Sequence, residues 1–293
     1  MSLEQAIRLL IIGVEVGSIY ALVALSVVLL YRTSRVLNFG QGELALLACF
    51  LTFVLTTSLG VPLWLAFLAG LAASAVAAGA FYFFLLRRAK AQDPMSLLIL
   101  TLGFSLFANG ALSLIFGVDN KAMPGFVDVI DTWTIAGFTI AKNSVLVAVA
   151  GLILMLLLYV FVQKSKIGLA MRAVSQNPEV AKALGIPVNV VLISSWAVAA
   201  ILGGAAALLF APTISLTPNL MLDPLNKGFA AAVVGGMTSL PGAVLGGYLL
   251  GVIETYVGNF VPAFKLALAF VLVILVLVFR PHGLLGEKET RRA

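Results

Sequence analysis

Charge is scarce in this chain. Of its 293 residues only 10% are Asp, Glu, Lys or Arg, while 62% are hydrophobic, against roughly a quarter and a half in an ordinary soluble domain. A water-soluble fold of this length has nowhere to hide so much apolar surface. There is a single cysteine, Cys49, so neither an internal disulfide nor a cysteine-based metal cluster can be built. It lies in an apolar run and reads as packing. The single histidine, His282, sits in Arg280-Pro281-His282-Gly283 with no cysteine, serine or second histidine arranged around it, and proton-transfer chemistry needs a positioned partner. No glycine-rich loop ending in Gly-Lys-Ser/Thr occurs, so nothing in the sequence is suited to hold ATP phosphates. The net charge of +6 does not point to nucleic acid, because the cations fall between apolar runs instead of gathering on a soluble face. Together these gaps argue against an enzyme and against a metal or cofactor held by the chain itself.

What is present is a series of long apolar runs. Charge-poor stretches cover Leu9 to Leu30, Val36 to Thr57, Leu63 to Leu86, Met95 to Val118, Ser144 to Val162, Val188 to Ala211 and Leu266 to Phe279. About twenty such residues are what a helix needs to cross roughly 30 Å of hydrocarbon. The runs are continuously apolar and do not alternate, which excludes a β-barrel and leaves helices as the only way to satisfy the backbone in lipid. The first run is too long for a signal peptide and reads as a span that is retained. The expected fold is an all-α integral membrane protein, a polytopic helical bundle of about 8–9 transmembrane segments forming one permease-like domain over residues 1–293. Within it, residues 228–258 form a glycine-rich, broken helical hairpin, because Leu240-Pro241-Gly242 interrupts the run.

Cations orient the bundle. With the N-terminus outside, Arg32, Arg35, Arg87, Arg88, Lys90, Lys164, Lys166, Arg172, Lys182, Arg280, Lys288, Arg291 and Arg292 face the cytoplasm, leaving Arg8, Lys121, Lys142, Lys227 and Lys265 outside. That excess of cytoplasmic cations satisfies the positive-inside rule and puts the C-terminus inside. Residues 119–142 then form a small extracytoplasmic cap, with Ile130 to Ile140 too short to span. Residues 163–187 form a basic cytoplasmic loop.

Several elements carry chemistry. Asn38-Phe39-Gly40-Gln41-Gly42-Glu43 places an amide, two glycines and a carboxylate at the cytoplasmic mouth of an apolar run. One reading is a helix broken beside a solvent-filled path. The other is an ordinary helix start with Asn38 as N-cap and Glu43 near the positive end, which leaves the paired glycines unexplained. Gly235-Gly236-Met237-Thr238-Ser239-Leu240-Pro241-Gly242, with Gly246, Gly247 and Gly251 beyond, has the small-residue spacing that lets helix backbones approach. It also suits the wall of a pore made by discontinuous helices. Asn38, Gly40, Gln41, Gly42, Glu43, Gly235, Gly236, Pro241 and Gly242 are therefore the candidate substrate-pathway residues. Glu15 and Glu254 are intramembrane carboxylates, functional candidates unless they sit cheaply in the outer interface.

The loop from Gly168 to Pro187 has full helix punctuation. Asn177 is a natural N-cap, Pro178 suits the first helical position, Glu179 complements the dipole, and Gly185 with Pro187 ends the helix. Val180, Ala181 and Leu184 cluster on an apolar face of about two turns. So short a helix needs a partner: either the membrane surface or a cytoplasmic protein into which it inserts as a knob.

At these residues the chain resembles the LivH-type permease subunits of branched-chain amino acid ABC transporters. The resemblance runs through Gly17-Ser18-Ile19-Tyr20-Ala21-Leu22, the Asn38 to Glu43 segment, the Arg172-Ala173 to Leu184-Gly185-Ile186 loop, the Gly235 to Gly242 hairpin, and Phe279-Arg280-Pro281 with Gly283-Leu284-Leu285-Gly286. It implies a permease of the prokaryotic inner membrane that pairs with a second, related permease, two cytoplasmic ATPases that hydrolyse the ATP, and an extracytoplasmic solute-binding protein. It also implies that the loop carrying Arg172, Ala173, Asn177, Pro178, Glu179, Ala181, Leu184 and Gly185 is the coupling helix seated on an ATPase. The family often has an acidic residue where this chain has Gln176-Asn177, and His282 occupies a variable position. Related permeases carry urea or short amides, so these remain alternative substrates. A stand-alone secondary transporter or channel using Glu15, Glu43 or Glu254 is the rival from another class.

Overall fold

The computed structural model describes residues 3–89, 93–135 and 138–286. In chain order these form α1 (Leu3–Ser34), α2 (Gln41–Thr57), α3 (Leu63–Phe81) running on into a π-helical turn (Tyr82–Leu86), α4 (Pro94–Phe116), β1 (Thr132–Ile135), β2 (Phe138–Ala141), α5 (Lys142–Lys164), α6 (Lys166–Gln176), α7 (Pro178–Ala183), α8 (Val188–Ile214), α9 (Leu222–Gly235), α10 (Leu240–Phe260), a 3₁₀ turn (Pro262–Phe264) and α11 (Lys265–Phe279). Among the described residues six helices, α1, α3 with its π turn, α4, α5, α8 and α10, are long and apolar enough to cross a membrane, and α2 and α11 are shorter apolar helices. The outward faces are themselves apolar: Leu106 is 78%, Phe107 75% and Leu114 89% exposed on α4. Continuous greasy surface of this kind is stable only against hydrocarbon or a protein partner.

The chain divides into two compact units. The first comprises the stretch of α1 up to Val28, residues 127–152, and the chain from Pro224 onward. Its framework is set by glycine. On α10, Gly242 and Gly246 lie against the backbone of α9 at Gly235 and Ala231, while Gly247 and Gly251 lie against α1 at Ala21 and Gly17. Any side chain there would strike main chain, so the spacing of four residues converts directly into two close helix contacts.

The second unit comprises Leu29–Phe126 and Ile153–Asp223. In it α2, α3 and α8 pack on one another. Buried hydroxyls tie them, Ser74 donating to the Leu44 carbonyl at 2.7 Å and Thr52 to the Ala66 carbonyl at 3.1 Å. Trp196 on α8 is fully buried, its ring 5.6 Å from Phe81 and 6.2 Å from Tyr82.

Several sequence expectations need correction. The chain is not wholly helical: β1 and β2 pair antiparallel within the 119–142 stretch, in the register Thr132 with Ala141, and Lys142 bonds Asp131 at 2.9 Å beside them. The run from Val36 does not enter its helix until Gln41, because residues 36–40 are non-helical. Leu240-Pro241-Gly242 opens a helix and does not break one, since Pro241 occupies the first turn of α10, where its missing N–H costs nothing; the chain turns at Gly236, whose φ is +113°. The second arm of the hairpin is α10, 21 residues long. Lys227, counted above among the outside cations, lies within α9 and is 4% exposed. Lys90, Lys288, Arg291 and Arg292, also used to orient the bundle, lie outside the described residues.

Candidate functional site

The Asn38–Glu43 segment lies in the second unit and is a closed polar cluster. Asn38 and Gln41 are 3% and 1% exposed. Asn38 does not cap α2. The N-cap position is Gly40, and no side chain caps it. Instead the Asn38 amide accepts the Gly40 N–H at 3.0 Å and donates to Gln41 Oε1 at 3.0 Å, while Gln41 Nε2 donates to the Ala199 carbonyl of α8 at 2.7 Å. Thr101 of α4 completes the stitching: its hydroxyl accepts the Phe39 N–H and lies within hydrogen-bond distance of the Leu37 carbonyl. Non-helical backbone can therefore persist here, because protein groups replace the water it would otherwise need. Close packing accounts for one of the two glycines that capping left over: a Cβ at Gly40 would run into the Phe104 ring, while on α8 one at Gly203 would press on Gln41 Nε2. Gly42 is buried in the first turn, and next to it Glu43 meets Ser105, leaving its Oε2 buried without a hydrogen-bond partner.

The other candidate pathway residues belong to the first unit. Gly235 ends α9, Gly236 makes the turn, and Ser239 caps α10, accepting the Gly242 N–H at 3.1 Å. The terminal motif closes this turn. Leu284 and Leu285 donate their N–H groups to the Val234 and Gly235 carbonyls at 2.8 and 2.9 Å, so residues 283–286 satisfy carbonyls that the end of α9 would otherwise leave open. Gly236 and Gly283 both have positive φ and touch backbone to backbone.

The basic loop is two helices. Sequence reading overlooked α6, whose punctuation is Ser165 accepting the Gly168 N–H at 2.9 Å and whose buried face is Gly168, Met171 and Val174. Arg172 on α6 reaches back to the end of α5, donating to Gln163 Oε1 at 3.0 Å and the Gln163 carbonyl at 3.2 Å. Ala173 is half-buried beside it. On α7, Asn177 Oδ1 accepts from the N–H groups of Glu179 and Val180 at 3.0 and 3.1 Å. At the other end Ile186 donates to the Ala181 carbonyl and Gly185, at φ +81°, to the Lys182 carbonyl. Both pairings are those of a Schellman close. The three apolar residues do not share one environment: Ala181 is buried, whereas Val180 and Leu184 are 53% and 76% exposed. Pro178, Glu179 and Lys182 line an open groove of about 500 Å³ with residues 186–190.

The intramembrane carboxylates also have partners. Ser144 donates to Glu15. Glu254, 2% exposed, bonds Lys227 at 2.7 Å, with Lys265 at 3.6 Å from the same oxygen and the Lys227 ammonium 5.5 Å from the Tyr20 ring. This pair joins α9 to α10 and is not legible in the sequence, where Lys227 counts only among the outside cations. The only hint available was the 27-residue separation of two opposite charges in one glycine-rich hairpin. Among the described residues no group of three or more His, Cys, Asp or Glu could hold a metal.

Known proteins agree with this architecture. The PsaBC complex from Streptococcus pneumoniae, solved with a Fab, aligns over 92% of this chain and 90% of that one with a TM-score of 0.50 and 13% identity, a likeness of fold alone. The high-affinity branched-chain amino acid transport system permease protein BraD of Pseudomonas aeruginosa is 33% identical over 97% of this chain and 96% of its own length. LivH of Escherichia coli K12, named likewise, is 28% identical over 96% and 95%, and the probable LivH of Methanocaldococcus jannaschii 26% over 92% and 89%. The family model for the permease component of branched-chain amino acid transport systems matches residues 9–278, and with apolar helices throughout that span the chain is a multi-pass membrane protein that belongs to this permease family.

Proposed function

We propose that this chain is the membrane-spanning subunit of an ATP-binding-cassette importer in a prokaryotic inner membrane, passing branched-chain or related small amino acids delivered by a solute-binding protein. Its partners are a second related permease, two cytoplasmic ATPases that hydrolyse ATP, and the extracytoplasmic binding protein. The relatives' names supply the substrate class. The proposed topology has α1, α2, α3, α4, α5, α8 and α11 crossing the membrane and α9–α10 as an embedded hairpin, with the N-terminus outside and the C-terminus in the cytoplasm. The whole chain acts as one permease domain.

The observation that carries this reading is α7. It is a six-residue helix capped at both ends, with Val180 and Leu184 turned outward, on a chain whose sequence holds no phosphate-binding loop. A helix so short has little intrinsic stability, and its caps hold it ready for a protein that supplies the engine. Closure of the ATPases would move α7, together with Arg172, Ala173 and the rest of the coupling loop, and tilt the spans between inward-open and outward-open states. Arg172 serves here as the strut that makes α6 follow α5. The candidate solute-path residues are Asn38, Gly40, Gln41, Gly42 and Glu43 in the second unit and, each unit taken by itself, Gly235, Gly236, Pro241 and Gly242 in the first. Discontinuous helices with polar or glycine backbone at the break are where transporters bind and pass solutes, and the unpartnered Glu43 oxygen supports that assignment. The stand-alone alternative is weakened at Glu15, which Ser144 holds, and at Glu254, whose Oε1 is bonded by Lys227.

Replacing Pro178 and Glu179 with glycine should abolish uptake of radiolabelled leucine in whole cells while membrane insertion survives. Uptake at the unaltered rate, with the altered chain present at normal level, would refute the assignment of α7.

A further inference from the structure

A small cavity opens at one end of the second unit, between the end of α1, the π turn after α3, the start of α4 and the first turns of α8. It measures about 80 Å³ and is lined by Ser34, Val36, Tyr82, Leu86, Arg87, Leu97, Leu192 and Trp196. No carboxylate lines it. What it offers is donors. The indole N–H of Trp196 is buried and has no hydrogen-bond partner. Tyr82 brings a phenol within electrostatic reach of the Arg87 guanidinium. Arg87 itself lies over the Phe83 ring, 5.2 Å from its centroid, with Arg88 beside it over Phe83 and Phe84. The apolar flank next to the cavity, with Phe84 56%, Leu85 45% and Met95 67% exposed, is the kind of surface that meets acyl chains.

A cavity with an unsatisfied buried N–H and a cation at its rim suits an acceptor that is also negative. Guanidinium pairs with phosphate oxygens in a planar fork, and such groups between transmembrane helices select lipid headgroups. The volume has room for several water-sized groups, enough for one phosphate and not for a whole lipid. The π turn reinforces the point. It runs from Tyr82 to Leu86, with the Tyr82 ring 6.2 Å from that of Trp196 and Leu86 on the same cavity wall, and π turns recur at functional sites.

We propose that this cavity binds the phosphate group of a membrane phospholipid, or a free phosphate of the same chemistry, held by Arg87 with the Trp196 N–H and the Tyr82 hydroxyl. The acyl chains of a bound lipid would lie along the flank of Phe84, Leu85 and Met95. None of the residues that line it is among those assigned to the solute path or to α7.

The chain has three tryptophans, and Trp64 and Trp133 are 58% and 47% exposed, so a full-length W64F/W133F chain reports through Trp196 alone. Titrating it in neutral detergent with phosphatidylglycerol should change Trp196 emission saturably, whereas diacylglycerol, which lacks the phosphate, should not. Inorganic phosphate forms a second arm: a response to phosphatidylglycerol alone assigns a lipid, and a response to both assigns the free anion as a ligand too. Arg87→Gln should raise the half-saturating concentration about tenfold, the usual weight of a charged hydrogen bond, and Arg87→Lys by less; circular dichroism checks that both variants are folded. No response to either phosphate compound, an equal response to diacylglycerol, or an unshifted titration in folded Arg87→Gln overturns the proposal.

Discussion

Breaking the Lys227–Glu254 pair should cost far more than removing it whole. The side chains are 5% and 2% exposed and 2.7 Å apart, so each charge depends on the other for most of what water would have supplied. Removing one member of such a pair costs about 3–5 kcal/mol, because the survivor is left buried, while replacing both with apolar groups of similar volume is close to neutral or even stabilising. Glu254→Leu removes the carboxylate that the buried Lys227 ammonium bonds at 2.7 Å. Lys227→Met leaves Glu254, but Lys265 already stands 3.6 Å from the same oxygen on a half-exposed side chain that can swing inward. The expected order of stability is therefore the natural chain and the double variant K227M/E254L highest, with both single variants, Lys227→Met and Glu254→Leu, lower. Unfolding of a membrane protein is seldom reversible, so the assay is the half-life of monodisperse protein at a fixed elevated temperature in one detergent. Single variants as long-lived as the natural chain would refute the reasoning. So would a double variant no better than Glu254→Leu, since the coupling between the two sites is what the argument asserts.

Two further outcomes follow from the same packing. Gln41→Leu removes both the acceptor of the Asn38 amide and the donor to the Ala199 carbonyl, leaving the buried Asn38 donor unpaired at about 1–3 kcal/mol; the loss should appear as a shortened half-life in detergent, and an unchanged half-life would count against the cluster. Gly251→Ala places a methyl against the Gly17 backbone, an overpacking that costs about 1–3 kcal/mol, and should lower the folded yield by size-exclusion chromatography, whereas substitution at Gly103, which has nothing within 4 Å of its Cβ position, should not.

Membrane class and the placing of the apolar runs were legible because they depend on composition over windows of about twenty residues, which lipid imposes locally. The α7 caps were legible for a similar reason: Asn177, Pro178 and Gly185 act on their own neighbours, and Asn177 does accept the two N–H groups at the helix start. Asn38 shows where that logic stops. Its sequence context is that of an N-cap, yet its amide pairs with Gln41, which in turn is held by a carbonyl 158 residues away. Local propensity lost to a tertiary partner. Val180 and Leu184 illustrate the same limit, since helical spacing grouped them with Ala181 but only the packing of α6 and α8 around α7 decided which of the three is covered.

By itself the sequence determined the solvent, the helical character, the regularly spaced glycines and the punctuated loop, for each of these is fixed by residues within a few turns of one another. Tertiary structure alone decided that Lys227 sits inside the protein facing Glu254, that Leu284 and Leu285 close the end of α9, and that Trp196, on the cavity Arg87 also lines, keeps an unanswered N–H. Each of those joins residues distant in the chain, and partners of a buried charge or backbone group are set by which helix backbones can approach, a condition no local pattern states.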